Sequence, residues 1–409
     1  MCGARLPPRG AAVPQRRPSI RTCQPSRGGS SMVPMFEFEV HHRDGRARTG
    51  VFVTPHGAVD TPAFMPVGTA GSVKGVTPGQ LGATGAQMIL ANTYHLQLRP
   101  TADVVRDLGG LHRFMGWDGP ILTDSGGYQV FSLAGINRVT DDGVEFQSHI
   151  DGARMFLSPA IATEVQARLG ADVIMAFDEC PPLPSEREVL QAAVERTIRW
   201  AGQCRDAHRR EDQAMFGIVQ GGLDLELREH CEEALIRIGF DGYAIGGLSV
   251  GESHEEMVAA LEPIASGLPA DRPRYLMGVG TPRDILAAVR TGVDLFDCVL
   301  PTRNGRNSYA FTADGPLKMR NERHRLDDRP FEAQCDCETC QRFSRGYIRH
   351  LFNAGEMLGP TLTSLHNLRF YQRFMGRVRE LVRLGRLADI TGEFPIASMS
   401  TFPAEQEET

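Results

Sequence analysis

Short apolar runs recur along the chain from Phe36 onward, and each of them ends in a polar residue or a glycine. Amphipathic stretches such as Glu186–Arg205 and Leu225–Ile238, in which apolar residues return at helical spacing, separate these runs. The alternation predicts parallel strands joined by helical crossovers. The runs predicted as strands are Met88–Asn92, Ile121–Asp124, Val173–Asp178, Phe216–Gln220, Tyr243–Leu248, Tyr275–Gly280 and Leu295–Asp297.

The number of these strand–helix units favours an α/β fold of the eightfold kind, a (β/α)8 TIM-like barrel, over an open doubly wound sheet. No GxGxxG pattern follows an early strand, which weakens the dinucleotide-binding alternative. Because the carboxyl ends of barrel strands build the active site, the residues that end these runs are expected to converge. They are Asn92, Asp124, Asp178, Gln220, Gly247, Gly280 and Asp297.

One of these residues, Asp297, lies in an apolar run that breaks at Pro301 and is followed by Arg303 and Arg306. A carboxylate among apolar residues is costly to ionise unless something pairs with it. The two arginines suggest an anionic ligand, most simply a phosphate, against this strand end. Taken alone, Asp297 is better explained as a cap of the next helix, and it is the other strand-end carboxylates that favour a functional role.

Two such carboxylates, Asp124 and Asp178, each end an apolar strand of their own. Asp124 precedes Ser125-Gly126-Gly127-Tyr128, where the glycines allow close backbone approach to a ligand and the tyrosine ring suits stacking on a flat base. A tight turn capped by Asp124 is the structural alternative. Two carboxylates flanking a bond are the usual apparatus for cleaving a glycosidic linkage, and a third is suited to accept hydrogen bonds from a purine-like N–H edge.

Composition limits the kinds of partner. The chain has 409 residues, a formal net charge of −6 and nine cysteines. This charge argues against a generally basic nucleic-acid coat, so that any such binding needs a local patch. No apolar run approaches the roughly 18 to 20 residues that span a bilayer, and we expect a soluble, cytoplasmic protein without a membrane partner. The cysteines are too unevenly spread for a disulfide scaffold, which fits a reducing compartment.

Three of the cysteines form a metal-binding pattern. Cys335, Cys337 and Cys340 match a tetrahedral Zn²⁺ site that needs one more ligand, for which His366 is the candidate. Such a site is expected to be structural, with one ion per subunit and no open position for water. A set of free thiols is the alternative, and His324 and His350 also lie near enough along the chain to supply the fourth ligand.

The ends of the chain differ in composition from its middle. Residues 1–34 contain arginines and prolines but no acidic residue, and they are expected to form a disordered tail, with Met32 or Met35 as a possible true start. The prediction assigns 35–302 and 367–390 to the barrel, 303–366 to a basic zinc-binding insertion, and 391–409 to a C-terminal tail.

A late helix concentrates basic charge beside an apolar face. This pattern suggests a footprint for a phosphate backbone, and a merely solvated helix face is an equal alternative. The basic residues are Arg369, Arg373, Arg377, Arg379, Arg383 and Arg386.

From about residue 36 to residue 390 the sequence closely resembles the bacterial tRNA-guanine transglycosylases (queuine tRNA-ribosyltransferases). The resemblance rests on five groups of residues. They are Asn92-Thr93-Tyr94-His95-Leu96, Thr123-Asp124-Ser125-Gly126-Gly127, Gly246-Gly247-Leu248, Asp297 to Arg303, and the set Cys335, Cys337, Cys340 and His366. It implies a β/α barrel with a zinc subdomain inserted late in the chain, usually as a homodimer. The implied reaction replaces guanine at the tRNA wobble position by a 7-deazaguanine without breaking the phosphodiester chain.

The resemblance also implies roles for individual residues. Asp297 is expected to attack the ribose C1′ and form a covalent tRNA intermediate, and Asp124 to act as general acid and base. Arg303 and Arg306 match positions that contact anticodon-loop nucleotides. The residues expected to hold the base are Asn92, Asp124, Asp178, Gln220, the backbone of Gly247 and Leu248, and the side chains of Tyr128 and Met277 on its two faces.

The pocket also indicates which base enters. Cys180 and Val250 occupy positions where bacterial members carry Cys and Val, so the resemblance implies the substrate preQ1 (7-aminomethyl-7-deazaguanine), whose aminomethyl group Glu252 should help to accept. Three alternative functions are a non-catalytic partner subunit, a zinc-dependent nucleic-acid binder and an ordinary glycosidase. The joint presence of Asp124 and Asp297 argues against the first, the strand-end carboxylates against the second, and the basic helix and zinc subdomain against the third.

Overall fold

The computed structural model describes residues 35–133, 137–400 and 402. The predicted tail 1–34 therefore lies outside the described residues. The strands, in chain order, are β1 (Glu37–Asp44), β2 (Ala47–Thr54), β3 (Gly57–Thr61), β4 (Ala63–Pro66), β5 (Ile89–Ala91), β6 (Ile121–Thr123), β7 (Asn137–Thr140), β8 (Gly143–Gln147), β9 (Arg154–Leu157), β10 (Val173–Met175), β11 (Ala214–Val219), β12 (Gly242–Ile245), β13 (Arg274–Leu276), β14 (Leu295–Cys298), β15 (Tyr309–Thr312) and β16 (Gly315–Lys318).

Helices fill the connections between the strands. They are α1 (Pro78–Ala83), α2 (Thr93–Leu98), α3 (Ala102–Asp107), α4 (Gly110–Met115), α5 (Gly127–Leu133), α6 (Pro159–Leu169), α7 (Arg187–Ala207), α8 (Leu225–Ile238), α9 (His254–Gly267), α10 (Pro282–Thr291), α11 (Leu300–Arg306), α12 (Glu338–Arg342), α13 (Arg345–Ala354), α14 (Leu358–Arg383) and α15 (Ile390–Glu393).

Eight of these strands form one parallel sheet in the order β4-β14-β13-β12-β11-β10-β6-β5. The two outer strands meet through a parallel bridge between Val67 and Leu90, which brings the sheet nearly to closure. The predicted (β/α)8 TIM-like barrel is thus confirmed. All seven predicted strand runs overlap barrel strands, and the sequence analysis missed only β4 among the eight.

The first three strands form a separate antiparallel sheet against the amino end of the barrel. Phe52 on β2 lies in one apolar cluster with side chains of the barrel interior. The centroids of the Phe52 and Phe216 rings are 6.0 Å apart. A fully buried ion pair fixes this sheet, since Arg48 donates two hydrogen bonds to Asp294, one of them 2.9 Å long. The β1–β3 sheet therefore closes the barrel at the end opposite the carboxyl ends of its strands.

The late insertion contains the β15–β16 hairpin, α12 and α13, with its own apolar cluster. The long helix α14 follows it without a break at the expected boundary between 366 and 367, so one helix serves both the insertion and the barrel. Part of the expected C-terminal tail is also packed into the main core, where Ile396 and Ala397 are buried. The exact domain boundaries stay predictions. Within the described part of the chain, no helix is long and apolar enough to cross a membrane.

Candidate active site

Asp297 lies near the carboxyl end of β14, and two donors hold one oxygen of its carboxylate. The Tyr275 hydroxyl donates to Oδ1 at 2.6 Å and the Gly278 backbone N–H donates at 2.8 Å. Among the described residues nothing donates to Oδ2, and part of the residue is exposed at the barrel mouth. Burial raises the pKa of Asp297, and the two hydrogen bonds oppose that rise. The carboxylate is thus oriented through one oxygen and open at the other.

The register of the barrel explains why Tyr275 reaches this carboxylate. Tyr275 on β13 pairs with Leu295 on β14, and Asp297 lies two residues farther along on the same face of the sheet. The tyrosine is fully buried, and a buried phenol needs a hydrogen-bond partner. The hydroxyl of Tyr275 therefore positions the carboxylate that sequence analysis assigned as the nucleophile.

Asp124 follows β6 directly and is also held by the neighbouring strand end. Asn92 donates a hydrogen bond to Oδ2, and the Thr93 backbone N–H donates to Oδ1 at 2.7 Å. Burial raises the pKa of Asp124 to about 6, and the negative charge of Asp297 contributes to this rise. A carboxyl group with a pKa near neutrality can both donate and accept a proton, as a general acid and base must.

Asp178 is the third buried carboxylate at this end of the barrel. The Ser125 hydroxyl donates to its Oδ1 at 3.1 Å, and the Gln220 amide donates to its Oδ2 at 2.7 Å. Burial raises the pKa of Asp178 to about 6, and these hydrogen bonds oppose the rise. The barrel thus brings together Asp124, Asp178 and Asp297, which lie far apart along the chain.

Gln220 presents an unsatisfied acceptor beside Asp178. Its Oε1 is buried and has no hydrogen-bond partner within the described residues. Gly247, at φ +63°, passes so close that an added Cβ would lie 2.4 Å from this oxygen. Leu248 is buried next to it. A buried acceptor without a donor is rare, and here it is suited to the N–H group of a bound base.

A buried arginine supports the same loop from behind. Arg228 on α8 is fully buried and donates to the carbonyls of Gly246 and Gly247, at 2.9 and 3.2 Å, and of Gly222. Glu252 accepts from the backbone N–H groups of Ser249 and Val250, so its carboxylate braces the next turn of the loop. The loop after β12 is therefore fixed by charged side chains on both sides.

The remaining predicted pocket residues occupy the same mouth with different exposure. Tyr128, on α5 directly after Gly126 and Gly127, is exposed, and Met277, after β13, is half-buried. Cys180 is buried, and burial followed by the charge of Asp178 raises the pKa of its thiol to about 12, so the group stays neutral. The functional roles assigned to these residues stay predictions.

Arg303 and Arg306 lie on α11, one helical turn apart and just beyond Asp297. Both are half-buried, and the Nη1 atom of Arg306 is buried without a hydrogen-bond partner among the described residues. Burial lowers the pKa of Arg306, and the charge of Arg303 lowers it further. The Nη1 atom of Arg306 is therefore the group at this position that is suited to an anionic partner.

The arginines of α14, by contrast, mostly have acidic or carbonyl partners within the fold. Arg369 forms two hydrogen bonds of 2.7 Å with Asp336, and Arg373 pairs with Glu332 at 2.9 Å. Arg377 binds Glu393, and Arg379 binds the carbonyl of Pro62. Arg386, which was expected on this helix, lies beyond its end at Arg383 and binds Asp389. These pairings favour the structural alternative for this helix over a phosphate footprint.

The metal-binding pattern forms a compact buried cluster. The sulfur atoms of Cys335, Cys337 and Cys340 lie 3.6, 3.6 and 3.3 Å from Nδ1 of His366. A tetrahedral Zn²⁺ ion with bonds of about 2.3 Å to sulfur and about 2.0 Å to nitrogen places these ligand atoms about 3.5 Å apart. The four side chains are thus spaced to hold a metal ion.

The second ring nitrogen of His366 confirms its orientation toward the thiols. Nε2 lies 2.7 Å from the carbonyl oxygen of Phe311 on β15, so a proton there leaves Nδ1 as the ligand atom. His324 is instead within 3.6 Å of Asp327, and it does not join the cluster. Among the histidines considered from the sequence, His366 is the one that completes the metal site.

Sequence analysis did not find Tyr275, Ser125 or Arg228 as parts of the site. A tyrosine inside a predicted barrel strand is a usable signal for the first, because its hydroxyl must find a partner near the strand end. Ser125 belongs to the Thr123–Gly127 motif on which the family resemblance rests, but its hydrogen bond to Asp178 depends on the neighbouring strand. For Arg228 the sequence contains no signal, since the helix position alone resembles a solvated one.

The raised pKa of Asp178 predicts how the free energy of unfolding changes with pH. The group has a pKa of about 6 in the folded chain against 3.8 unperturbed, so its contribution to stability is complete below pH 3.8 and is lost as the pH rises through 6. Asp178→Asn removes this loss. The difference in the free energy of unfolding between Asp178→Asn and wild type should therefore shift in favour of the variant by about 1 to 2 kcal/mol as the pH rises from 5 to 8. Urea unfolding at each pH measures this difference.

The Asp271→Asn variant, at an exposed position, is the control for the effect of an Asp-to-Asn change in itself. Asp124 also titrates in this range but is present in both chains and cancels. A pH-independent difference between Asp178→Asn and wild type would contradict the prediction.

Comparison with known proteins identifies relatives over nearly the whole described chain. A family model described as queuine tRNA-ribosyltransferase matches residues 44–398. A protein named queuine tRNA-ribosyltransferase from Thermus thermophilus is 57% identical over 359 residues, covering 88% of this chain and 93% of the relative. Proteins of the same name from Novosphingobium aromaticivorans and Syntrophobacter fumaroxidans are 54% and 52% identical, covering 88% and 90% of this chain and 97% and 100% of the relatives.

Proposed function

The chain belongs to the queuine tRNA-ribosyltransferase family of tRNA-modifying transferases, and from this premise we propose which exchange it performs. The proposed reaction replaces guanine at the wobble position (34) of the tRNAs for Asp, Asn, His and Tyr by preQ1, a step of queuosine biosynthesis. It proceeds by double displacement through a covalent bond between the tRNA and Asp297. The observation that supports this proposal is the pair of carboxylates, Asp124 and Asp297, at one barrel mouth, where burial and, to a smaller extent, the charge of Asp297 raise the pKa of Asp124.

The first displacement is assigned to Asp297 and Asp124. The open Oδ2 of Asp297 attacks the ribose C1′ while Tyr275 and Gly278 hold Oδ1. The bond from C1′ to the guanine nitrogen breaks, and Asp124 protonates the departing base. In the second displacement Asp124 removes a proton from the incoming base, whose nitrogen attacks C1′ and releases the carboxylate. Two inversions retain the anomeric configuration.

The base is held by the acceptors and donors at the neighbouring strand ends. Asp178 accepts hydrogen bonds from the pyrimidine edge of the base, and Oε1 of Gln220, which has no donor among the described residues, gains one. The backbone of Gly247 and Leu248 approaches the same edge, and the side chains of Tyr128 and Met277 cover the two faces. Binding requires the anticodon loop to be splayed so that the target base enters the pocket.

The choice of preQ1 rests on the loop after β12 and on Cys180. The thiol of Cys180 stays neutral and buried, and Val250 is half-buried on the loop that Glu252 braces. The carboxylate of Glu252 supplies negative charge on the side where the aminomethyl group of preQ1 carries positive charge. Queuine, with its larger substituent, is expected to fit less well.

The proposal also includes a tRNA-binding surface and a bound metal ion. Arg303 and Arg306 bind phosphates of the anticodon loop, for which the Nη1 atom of Arg306, without a hydrogen-bond partner in the described ranges, is suited. The ion in the cluster of three cysteines and His366 is Zn²⁺, with a structural role and one ion per subunit. A homodimer and a cytoplasmic location complete the proposal, as expected for this reaction.

Base exchange tests the substrate choice directly. The full chain is incubated with a guanine-bearing tRNA for Tyr and with labelled guanine, preQ1 or queuine. We expect guanine and preQ1 to enter the tRNA and queuine to enter at least about tenfold more slowly, since a misfit in the pocket costs about 1.4 kcal/mol or more. The site of exchange is mapped by nuclease digestion.

A tRNA with adenine at position 34 is the matched control and should incorporate no label. Equal incorporation of queuine and preQ1 would contradict the assigned preference while leaving the exchange reaction in place. Incorporation at a position other than 34 would overturn the wobble assignment. No exchange with any base would favour a binding subunit without catalysis.

A further inference from the structure

Arg228 on α8 is a cation buried beneath the loop after β12. In the part of the chain that the structure describes, its guanidinium forms no ion pair and donates only to backbone carbonyls, those of Val219, Gly222, Gly246 and Gly247. Burial lowers the pKa of Arg228 to about 10, so the group is still charged at neutral pH. A buried charge without a counter-ion is costly for folding, which points to a role beyond packing.

Two of these carbonyls belong to adjacent peptide groups. Nη2 of Arg228 donates to the carbonyl oxygen of Gly246 at 2.9 Å and to that of Gly247 at 3.2 Å. A peptide group joins the carbonyl of one residue to the N–H of the next, and in a planar trans peptide these two bonds point in opposite directions. The N–H groups of Gly247 and Leu248 therefore point away from Arg228.

These two N–H groups lie on the side of the predicted base pocket. The Gly247 N–H hydrogen-bonds to the sulfur of Cys180, and a neutral thiol is a weak acceptor. Within the described ranges the Leu248 N–H has no acceptor. Gly247 also adjoins the amide of Gln220, whose Oε1 would lie 2.4 Å from an added Cβ. Both N–H groups are thus available to a stronger acceptor.

A cation on the carbonyl side of a peptide strengthens the N–H on its other side. Hydrogen bonds in series polarise one another, because electron density drawn toward the carbonyl oxygen leaves the N–H more positive. A hydrogen bond that involves a charged group is roughly twice as strong as a neutral one, and the exclusion of water increases the effect of the charge. Arg228 therefore acts on two donors without touching the group that they bind.

We propose that Arg228 is a positioning residue for base exchange, which strengthens the N–H groups of Gly247 and Leu248 as donors to the carbonyl oxygen of bound guanine or preQ1. The inference rests on the proposed function, because it requires a base at these two groups. When the bond from C1′ to the base nitrogen breaks, its electron pair stays on the base, and the negative charge spreads through the ring to the carbonyl oxygen. The polarised N–H groups stabilise this charge until Asp124 protonates the base, as preorganised donors stabilise an oxyanion.

Calorimetric binding of two free bases to the full chain tests the inference. 7-Deazaguanine has the carbonyl oxygen, and 2-amino-7-deazapurine lacks it. Arg228→Gln removes the charge and keeps an amide donor. We expect the ratio of the affinity for 7-deazaguanine to that for 2-amino-7-deazapurine to fall at least about tenfold in this variant, because a hydrogen bond assisted by charge contributes that much. A purely structural role of Arg228 would weaken both bases alike and leave the ratio unchanged.

Two further variants serve as rescue and control. Arg228→Lys keeps the charge on a single donor nitrogen, so its ratio should lie between those of wild type and Arg228→Gln. Arg274→Gln is the matched control, because Arg274 is also buried and donates to a carbonyl, that of Leu268 at 2.6 Å, but lies at the amino end of β13. Its ratio should equal that of wild type.

Steady-state kinetics with guanine-bearing tRNA give a second readout. In Arg228→Gln kcat should fall at least about tenfold while KM for tRNA stays within about twofold of wild type, because the affected donors contact the base. Circular dichroism establishes that each variant is folded. An affinity ratio equal to that of wild type in Arg228→Gln, or in Arg228→Lys should the first not fold, would overturn the inference and leave the exchange reaction of wild type in place. Wild type that neither exchanges guanine nor binds 7-deazaguanine would overturn the proposed function and the inference with it.

Discussion

Asp297→Asn is expected to abolish base exchange and the covalent tRNA adduct. Asparagine keeps an oxygen that accepts from Tyr275 and Gly278, so the local fold should survive, but its amide cannot attack C1′. Removal of a nucleophile from a double-displacement enzyme typically costs at least about 10⁴-fold in kcat. Exchange of labelled guanine measures the rate, and denaturing electrophoresis after incubation with guanine-bearing tRNA measures the adduct.

Two variants separate the roles around this carboxylate. Tyr275→Phe removes a positioning hydrogen bond only, so it should lower kcat by about 10- to 100-fold and still form an adduct, a smaller effect than loss of the nucleophile. Asp124→Asn should impair proton transfer to the departing base. If an adduct persists in Asp297→Asn and disappears in Asp124→Asn, the two assigned roles are reversed.

Cys335→Ser is expected to remove one metal ion per chain and to unfold the insertion locally. Cys335 is fully buried in the apolar cluster that includes Phe331, Ile348 and Leu362, so the proposed metal site and this small core share residues. Structural Zn²⁺ sites contribute roughly 10 kcal/mol of apparent binding free energy to folding. We expect proteolytic cleavage within residues 303–366 to become at least about tenfold faster, together with a lower Tm.

The same change should also reduce catalysis, because α14 connects the metal ion to the active site. The proposed ligand His366 lies on this helix, and its neighbour Asn367 donates to the carbonyls of Pro301 and Tyr309, both at 2.9 Å. Pro301 lies only four residues beyond Asp297 along the chain. Loss of the metal ion therefore loosens the segment that carries Arg303 and Arg306.

Cys204→Ser is the control for loss of a buried thiol outside the metal site. Cys204 lies on α7 and accepts a hydrogen bond from the Phe177 N–H at 3.2 Å. This variant should lose some stability but keep its metal content and the proteolytic pattern of wild type. Metal analysis by mass spectrometry decides the question, and an unchanged metal content in Cys335→Ser would contradict the assigned ligand set.

The barrel was predictable because its strands are buried on both faces. Runs such as Val173–Asp178 are apolar almost throughout and end in a polar residue, so each is visible without knowledge of its neighbours. Strand β4 was missed because Ala63–Pro66 is only four residues long and ends in proline, which resembles a turn. The helix Leu225–Ile238 was predicted with its observed bounds, since it has one buried face and a capping Asp224.

The order of apolar and polar residues is enough to predict which residues end the barrel strands, and hence that three carboxylates and a glutamine meet at one mouth. The sequence also contains the thiol spacing of the metal site, because closely spaced ligands on one segment leave few other arrangements. These features are local, and local features can be read from order along the chain.

The positions of these groups relative to one another depend on contacts between elements of the fold. Parallel register places Tyr275 beside Asp297, and a fully buried Arg228 supports the carbonyls of Gly246 and Gly247 from another helix. The β1–β3 sheet, which closes the amino end of the barrel, brings His56 to Asp172. Each of these contacts joins residues that are distant along the chain, and its existence depends on packing between elements, which no spacing within the sequence records.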